Sequence, residues 1–160
     1  MKAVKIEKTG GPEVLKIEEI TLGKPGNDEV LIEHVAIGLN YIDTYHRSGL
    51  YPLKLPSGLG LEASGIIKEL GPNVSNFTVG DKIAYAGIPI GGYSTHRIYS
   101  TKNIVKVPEN LDLNVVGTLM TKGLTAFYLL YKTYAAKKLG WTSLKPGAPS
   151  HTPPLFIAIS

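Results

Sequence analysis

The 160-residue sequence predicts a mainly β, β-rich α+β domain followed by helices. Three observations carry this. Short runs alternating apolar with polar residues recur through the first hundred residues. Turns rich in glycine, proline and asparagine separate them. From Asp112 onward the apolar period changes from two to that of a helix. Many short strands at this spacing suggest a compact β-barrel or sandwich.

In chain order, "KAVKIE" sets Val4 and Ile6 on one face and Lys5 and Glu7 on the other, and "VLKIEEI" sets Leu15 and Ile17 against Lys16 and Glu18. "EVLIEHVAIGL" (29–39) is longer and more apolar, so it reads as a central strand. "GIIKEL", "DKIAYA", "GGYSTHRIYS" and "NIVKV" follow as further strands, with "TGGPE", "KPGND", "LGPNVSN" and "VGDK" as punctuation. "NYIDTYHRSG" (40–49) suits a helical turn or two after the central strand. Beyond Asp112, residues Val116, Leu119, Met120, Leu124, Phe127, Leu130, Tyr131 and Tyr134 recur at helical spacing. Gly117 and Gly123 each weaken a helix by ~1 kcal/mol relative to alanine, so two helices are expected, the second starting near Thr121 with Thr121 as its N-cap. The periodicity stops after "KTYAAKK". Four prolines fall between Pro146 and Pro154, and the closing "LFIAIS" is a strand-like run without a visible partner. The boundaries are therefore 1–110 for the β domain, 111–138 for the helices and 139–160 for an atypical, poorly ordered tail.

Composition narrows the chemistry. No cysteine is present, which excludes disulfides, thiolate metal sites and a cysteine nucleophile, and fits a reducing compartment. The N-terminus is too polar for a signal peptide and no unbroken apolar run approaches ~18 residues, so a soluble, cytoplasmic protein with no membrane partner is expected. The net charge of +4 is uneven: residues 113–160 hold five lysines and no carboxylate. This is either chance or attraction to a phosphate-bearing ligand. Nucleic acid is not expected, because the lysines are scattered rather than clustered with aromatics.

Three stretches carry candidate chemistry. In "AIGLNYIDTYHRSGLYP" (36–52), Asn40, Asp43, Thr44, Tyr45, His46 and Arg47 crowd one turn. Asparagine suits a carboxamide or ribose hydroxyl, tyrosine a flat ring, and Arg47 a phosphate. The same residues also read as a capped turn, with Asn40 as N-cap and Asp43 favouring the helix dipole. In "LPSGLGLEASG" (55–65), Glu62 is a candidate general base, or a carboxylate paired with a buried lysine or arginine. In "LMTKGLTAFYLL" (119–130), Lys122 and Thr125 lie in the first turns of a helix, where free N–H groups favour an anion or a ligand oxygen, or serve as ordinary caps. The histidines at 34, 46, 96 and 151 show no metal-ligand spacing, and Ser94 lacks a nucleophile-elbow context.

Taken together, "GGPEVLKIEE", "AIGLNYIDTYHRSGLYP", "LPSGLGLEASGII", "NFTVGDKIAYA", "GGYSTHRIY" and "TKGLTAFYLL", in this order, resemble the zinc-free quinone oxidoreductases of the medium-chain dehydrogenase/reductase superfamily, related to zeta-crystallin, over about residues 1–138. The resemblance implies a GroES-like barrel carrying the catalytic domain. Zinc relatives place a cysteine near residue 38 and a histidine before the equivalent of Glu62. Gly38 and Leu61 stand there instead, so no metal is expected. The resemblance further implies that the loop holding Asn40, Tyr41, Asp43, Thr44 and Tyr45 lies against the nicotinamide and ribose of NADPH. Tyr51 would line the quinone pocket, and Lys122 and Thr125 would approach from the helix. No catalytic acid or base is implied, because hydride transfer belongs to the cofactor.

Relatives continue into a strand, a glycine-rich pyrophosphate turn and a Rossmann domain of ~150 residues. Here the equivalent stretch is "LGWTSLKPGAPSHTPP", whose prolines break both strand and helix. The expectation is a truncated quinone oxidoreductase that binds NADPH weakly and self-associates through an exposed apolar helix face. Whether a frameshift, a split gene or design made it short stays open. The alternative is a non-catalytic GroES-like binding module, or a subunit pairing with a separate Rossmann chain.

Overall fold

In the computed structural model, residues 1–133 are described. The strands are β1 (Lys2–Ile6), β2 (Lys16–Glu19), β3 (Glu29–Gly38), β4 (Ser57–Gly58), β5 (Glu62–Leu70), β6 (Lys82–Ala86), β7 (His96–Ser100) and β8 (Val105–Lys106). The helices are α1 (Tyr41–Ser48), between β3 and β4, and α2 (Leu113–Phe127), followed directly by a π-helical stretch Tyr128–Thr133. The expected tail at 139–160 and the end of the helical segment lie outside the described residues. The chain divides into two units, Met1–Ala126 and Phe127–Ser160.

The long apolar run at 29–38 is the central strand because it is apolar on both faces and has neighbours on both sides. β3 pairs antiparallel with β7 (Val30 opposite Tyr99) and with β5 (Ile32 opposite Ile67, Gly38 opposite Glu62). The larger sheet runs β7-β3-β5-β6-β8, and the smaller runs β2-β1-β4. A bridge between Ala3 and Ser94 ties the edge of one sheet to the strand entry of the other. The main core is built from alternate residues of these strands: Val30, Ile32, Ala63, Ile67, Ile83, Tyr85 and Tyr99, closed by Phe77 and Ile104. Arg97 is buried beside it, its guanidinium over the rings of Tyr99 (4.1 Å) and Tyr85 (5.2 Å). It donates to the carbonyls of Pro89 and Ile90, so the loop after β6 hangs from a cation–π stack.

One expectation is corrected, and two features go beyond the sequence reading. The face of β2 carrying Leu15 and Ile17 is not covered. Ile17 is 75% exposed and lines an open groove of about 870 Å³ with Val4, Val35, Ile37 and Tyr93. Alternation set the face correctly, but among the described residues no layer lies over it.

The two expected helices are one. α2 runs unbroken through Gly117 and Gly123, and Thr121 lies inside it. The reason is the seat that α2 takes on the sheet. The Leu113 carbonyl accepts from the Ser64 hydroxyl (2.6 Å), Gly117 presses on Ala36 and Ser64, and the Thr121 amide donates to Glu62 (2.5 Å). These residues stand four apart, on one stripe of the helix. Leu113, Val116 and Met120 pack beside that stripe on Ala84, Val107 and Ile66. Tertiary contact overrides the local weakness of two glycines.

The second of the two features concerns apolar length, and it leaves the expectation of no unbroken apolar run standing. By length and composition alone, Leu113–Thr133 (21 residues, mean hydropathy 1.2) is enough to cross a membrane, where the sequence offered no unbroken run. Lys122 interrupts it, and the stripe from Leu113 to Thr121 is engaged with the sheet.

The two glycines play different parts. A Cβ on Gly117 would sit 2.6 Å from Ser64 Oγ and 2.8 Å from the Ala36 carbonyl, whereas a Cβ on Gly123 meets nothing within 4 Å. Gly117→Ala is therefore expected to destabilise, because overpacking of about 1–3 kcal/mol exceeds the helix-propensity gain. Gly123→Ala is expected to stabilise by up to ~1 kcal/mol. Urea unfolding of the two single variants checks this. Shifts of the same sign would show that α2 is not seated as described.

Candidate active site

The site begins where β3 ends. Asn40 takes the N-cap position of α1 with an extended backbone, and the Asp43 carboxylate accepts from the Asn40 amide N–H (2.9 Å). Asp43 thus caps the helix start, and its other tie is the Tyr93 hydroxyl, which donates to it at 2.7 Å. Burial raises the Tyr93 pKa, and the Asp43 carboxylate raises it further, so this phenol stays protonated.

Asn40 is the N-cap residue of α1, as the capped-turn reading has it, and its side chain is also held from outside the helix. Its Nδ2 donates to Glu62 Oε1 (2.9 Å), and its Oδ1 accepts from Lys122 Nζ (3.2 Å). Glu62 is fully buried at the start of β5. One carboxylate oxygen accepts from Asn40 and lies 3.4 Å from Lys122; the other accepts the Thr121 amide. Burial alone would raise the Glu62 pKa. The Thr121 and Asn40 hydrogen bonds and the Lys122 charge outweigh it, and the carboxyl is held below the usual carboxylate range. Glu62 is therefore an ionised acceptor, which suits the ion-pair reading rather than a general base. The partner is not buried, however: the Lys122 side chain is 48% exposed. Its ammonium faces the Leu39 carbonyl, Asn40 Oδ1, Glu62 Oε1 and the Thr118 carbonyl, all at 3.2–3.4 Å.

A second group stands on α1 and just beyond it. The ring centroids of Tyr41 and Tyr45 are 5.2 Å apart, edge to face, and those of Tyr45 and Tyr51 are 5.3 Å apart. Tyr41 is 75% exposed and Tyr51 45%. None of the three hydroxyls has a hydrogen-bond partner among the described residues. Together they present an aromatic rank with open polar tips.

The structure thus gathers Asn40 and Lys122 around Glu62, and Tyr41, Tyr45 and Tyr51 in a row. The start of α1 joins the two groups. Thr44 and Thr125 donate their hydroxyls to helix carbonyls, those of Tyr41 (2.6 Å) and Thr121 (2.7 Å). Arg47 is engaged elsewhere, its Nε donating to the Gly10 carbonyl (3.2 Å), so it pins α1 to the loop before β2 instead of facing a phosphate. Sequence reading missed the Tyr93–Asp43 bond and the backbone role of Thr121. Only the four-residue spacing of Leu113, Gly117 and Thr121 hinted at the latter. No group of metal-ligating side chains occurs among the described residues.

This barrel, with a polar cluster at a strand end and a seated helix, is the architecture of a dehydrogenase GroES-like domain. Residues 26–109 match the family model described as the alcohol dehydrogenase GroES-like domain, and the chain belongs to that family. It is 45% identical over 134 residues to a quinone oxidoreductase of Pseudomonas aeruginosa, covering 83% of this chain and 41% of the relative. It is 43% identical to a 2-haloacrylate reductase of a Burkholderia species, covering 84% of this chain and 42% of the relative. The crystal structure of Escherichia coli quinone oxidoreductase complexed with NADPH superposes with a TM-score of 0.81 at 41% identity, over 84% of this chain and 41% of that one. The chain thus spans about two fifths of the length of these relatives and matches their N-terminal portion.

Proposed function

We propose that this chain is the N-terminal catalytic portion of an NADPH-dependent quinone oxidoreductase. The observation that supports it is the cluster of rings Tyr41–Tyr45–Tyr51, tilted on one another with hydroxyls that have no partner among the described residues, beside the fixed Asn40–Lys122 cluster. Nicotinamide and quinone are both flat rings with polar edges, and an aromatic surface with hydroxyl tips fits such rings. Tyr41 and Tyr45 would meet the nicotinamide side, with Asn40, Asp43 and Thr44 shaping the loop beneath it. Tyr51 would meet the quinone. Lys122 and Thr125 would bound the site from α2, Lys122 supplying positive charge where a reduced quinone oxygen gains negative charge. When bound, NADPH supplies the hydride; this chain's residues orient the rings and exclude water. The relatives named for quinone reduction, and the one solved with NADPH, support the reading.

Much of a dinucleotide's affinity comes from its pyrophosphate and adenosine, and no glycine-rich turn follows α2 in "LGWTSLKPGAPSHTPP". The purified 160-residue chain is therefore expected to bind NADPH no more tightly than about 1 mM and to show negligible NADPH oxidation with menadione. Fluorescence titration and a menadione-dependent absorbance assay measure both. Menadione added alone should shift the NMR ring signals of Tyr41, Tyr45 and Tyr51 first. Shifts confined to the groove around Ile17 and Val35 would overturn the assignment.

On the side of α2 away from the Leu113–Thr121 stripe, Val115 and Leu119 are about half exposed. Self-association through this face is part of the same proposal, with gel filtration across a concentration series as its check.

A further inference from the structure

Glu62 is fully buried yet ionised, and the general-base role does not account for it. Its carboxylate ties β5 to two helices through three donors: the Asn40 side chain at the start of α1 (2.9 Å), and on α2 the Thr121 amide (2.5 Å) and the Lys122 ammonium (3.4 Å). The space it fills is reserved by Gly38, where a Cβ would lie 2.1 Å from Glu62 Oε1. Asn40 cannot rotate without breaking two bonds, because its oxygen accepts from Lys122 while its nitrogen donates to Glu62. Lys122 in turn has three protons facing four oxygens.

We propose that Glu62 is a positioning residue: its three-way acceptance fixes the start of α1 against the middle of α2, and so sets where Tyr41 and Tyr45 stand relative to Lys122. It acts through Asn40 and Lys122 and touches no ligand. Carboxylate charge is required, since an uncharged amide at position 62 can accept on its oxygen only and would set an N–H donor against one of three donors. The proposal rests on the reading that these residues face the reacting rings, but its main test does not.

The test is amide NMR of the ¹⁵N-labelled chain with Glu62→Gln and Lys122→Met. In the wild type the Thr121 amide proton should resonate far downfield and exchange slowly. In Glu62→Gln its exchange is expected to be about tenfold to a hundredfold faster, the loss of one charge-assisted hydrogen bond. The decisive readout is remote: the Tyr41–Tyr45 amides should shift in both variants while those of Val30, Ile67 and Ile83 stay in place. Changes confined to α2 would overturn the proposal, as would changes spread evenly through the core. If Glu62→Gln fails to fold, Lys122→Met keeps the question open to the same readout, since Lys122 is half exposed and its loss removes only one arm of the cluster. A menadione titration of both variants then separates the two claims. Loss of tyrosine-ring shifts in Glu62→Gln, with the wild type responding, supports positioning. A wild type that does not respond to menadione defeats the functional reading and leaves the amide result to stand or fall alone.

Discussion

Gly38→Ala is expected to lower stability by about 3 kcal/mol, roughly a 10 °C fall in melting temperature for a domain of this size. The glycine is needed for space, because β3 is ordinary extended strand there. A Cβ would lie 2.1 Å from Glu62 Oε1, 2.3 Å from its Cγ and 2.5 Å from its Cδ. A flexible surface carboxylate would swing aside at little cost. Glu62 cannot, because it has no exposed surface and three donors converge on it. Displacing it removes the acceptor that the Thr121 N–H and the Asn40 side chain share at the helix–sheet contact, while the half-exposed Lys122 ammonium loses its counter-ion at a smaller, solvent-screened cost. Gly38→Cys should be at least as harmful, since it adds the same Cβ and a sulfur beyond it. Thermal unfolding of Gly38→Ala beside Glu62→Gln is the measurement. If the glycine variant melts within about 2 °C of the wild type, the carboxylate is not locked as described.

How much of this was legible beforehand depends on whether the cause was local. The alternation in "EVLIEHVAIGL" fixes a strand and its two faces, and β3 runs from Glu29 to Gly38 accordingly. Tyr41 and Tyr45, four apart, had to share a helix face once "NYIDTYHRSG" became helical. Local rules failed where a distant residue decided the outcome. Asn40 has every property of a capping residue, yet Glu62 and Lys122 hold its side chain from 22 and 82 positions away. Gly117 and Gly123 look alike in the sequence, and only the position of Ala36 and Ser64 tells a seat from a vacancy. Ile17 sits on the apolar side of β2 as alternation requires, but alternation cannot say whether a layer will cover it. The sequence thus offers candidate residues one at a time, while the pairings that join Asn40, Glu62 and Lys122 depend on the fold.

Between pH 6.5 and about 4, acid is expected to weaken the fold through one histidine. His34 lies on β3 with Nδ1 2.7 Å from the Ser94 carbonyl and Nε2 3.0 Å from the Tyr85 hydroxyl. A carbonyl only accepts, so Nδ1 carries the hydrogen and Nε2 takes that of Tyr85. The Tyr85 oxygen in turn accepts from Arg97 Nη1 at 3.3 Å, which completes a chain built for neutral imidazole. Burial is the largest influence and pushes the His34 pKa down. The Ser94 bond resists, the charges of Arg97 and His96 push down further, and the result is about 4 against an ordinary 6.5. The folded state therefore binds the proton less readily than the unfolded chain. The stabilisation is complete above pH 6.5, falls as the unfolded chain becomes protonated, and is gone below about 4, a loss of up to about 3 kcal/mol. Glu33, Glu62, Asp81 and Asp112 are held below the ordinary carboxylate range, so their contribution begins to be lost as pH falls towards the unfolded values of 4.5 and 3.8, and the upper part of the window belongs to His34. His34→Asn retains a donor near Ser94 and removes the titration. It should be less stable than the wild type at pH 7 and nearly flat from pH 6.5 to 4.5, where the wild type slopes. Urea midpoints across that range decide the matter, and equal slopes in the two proteins would show that the proton goes elsewhere.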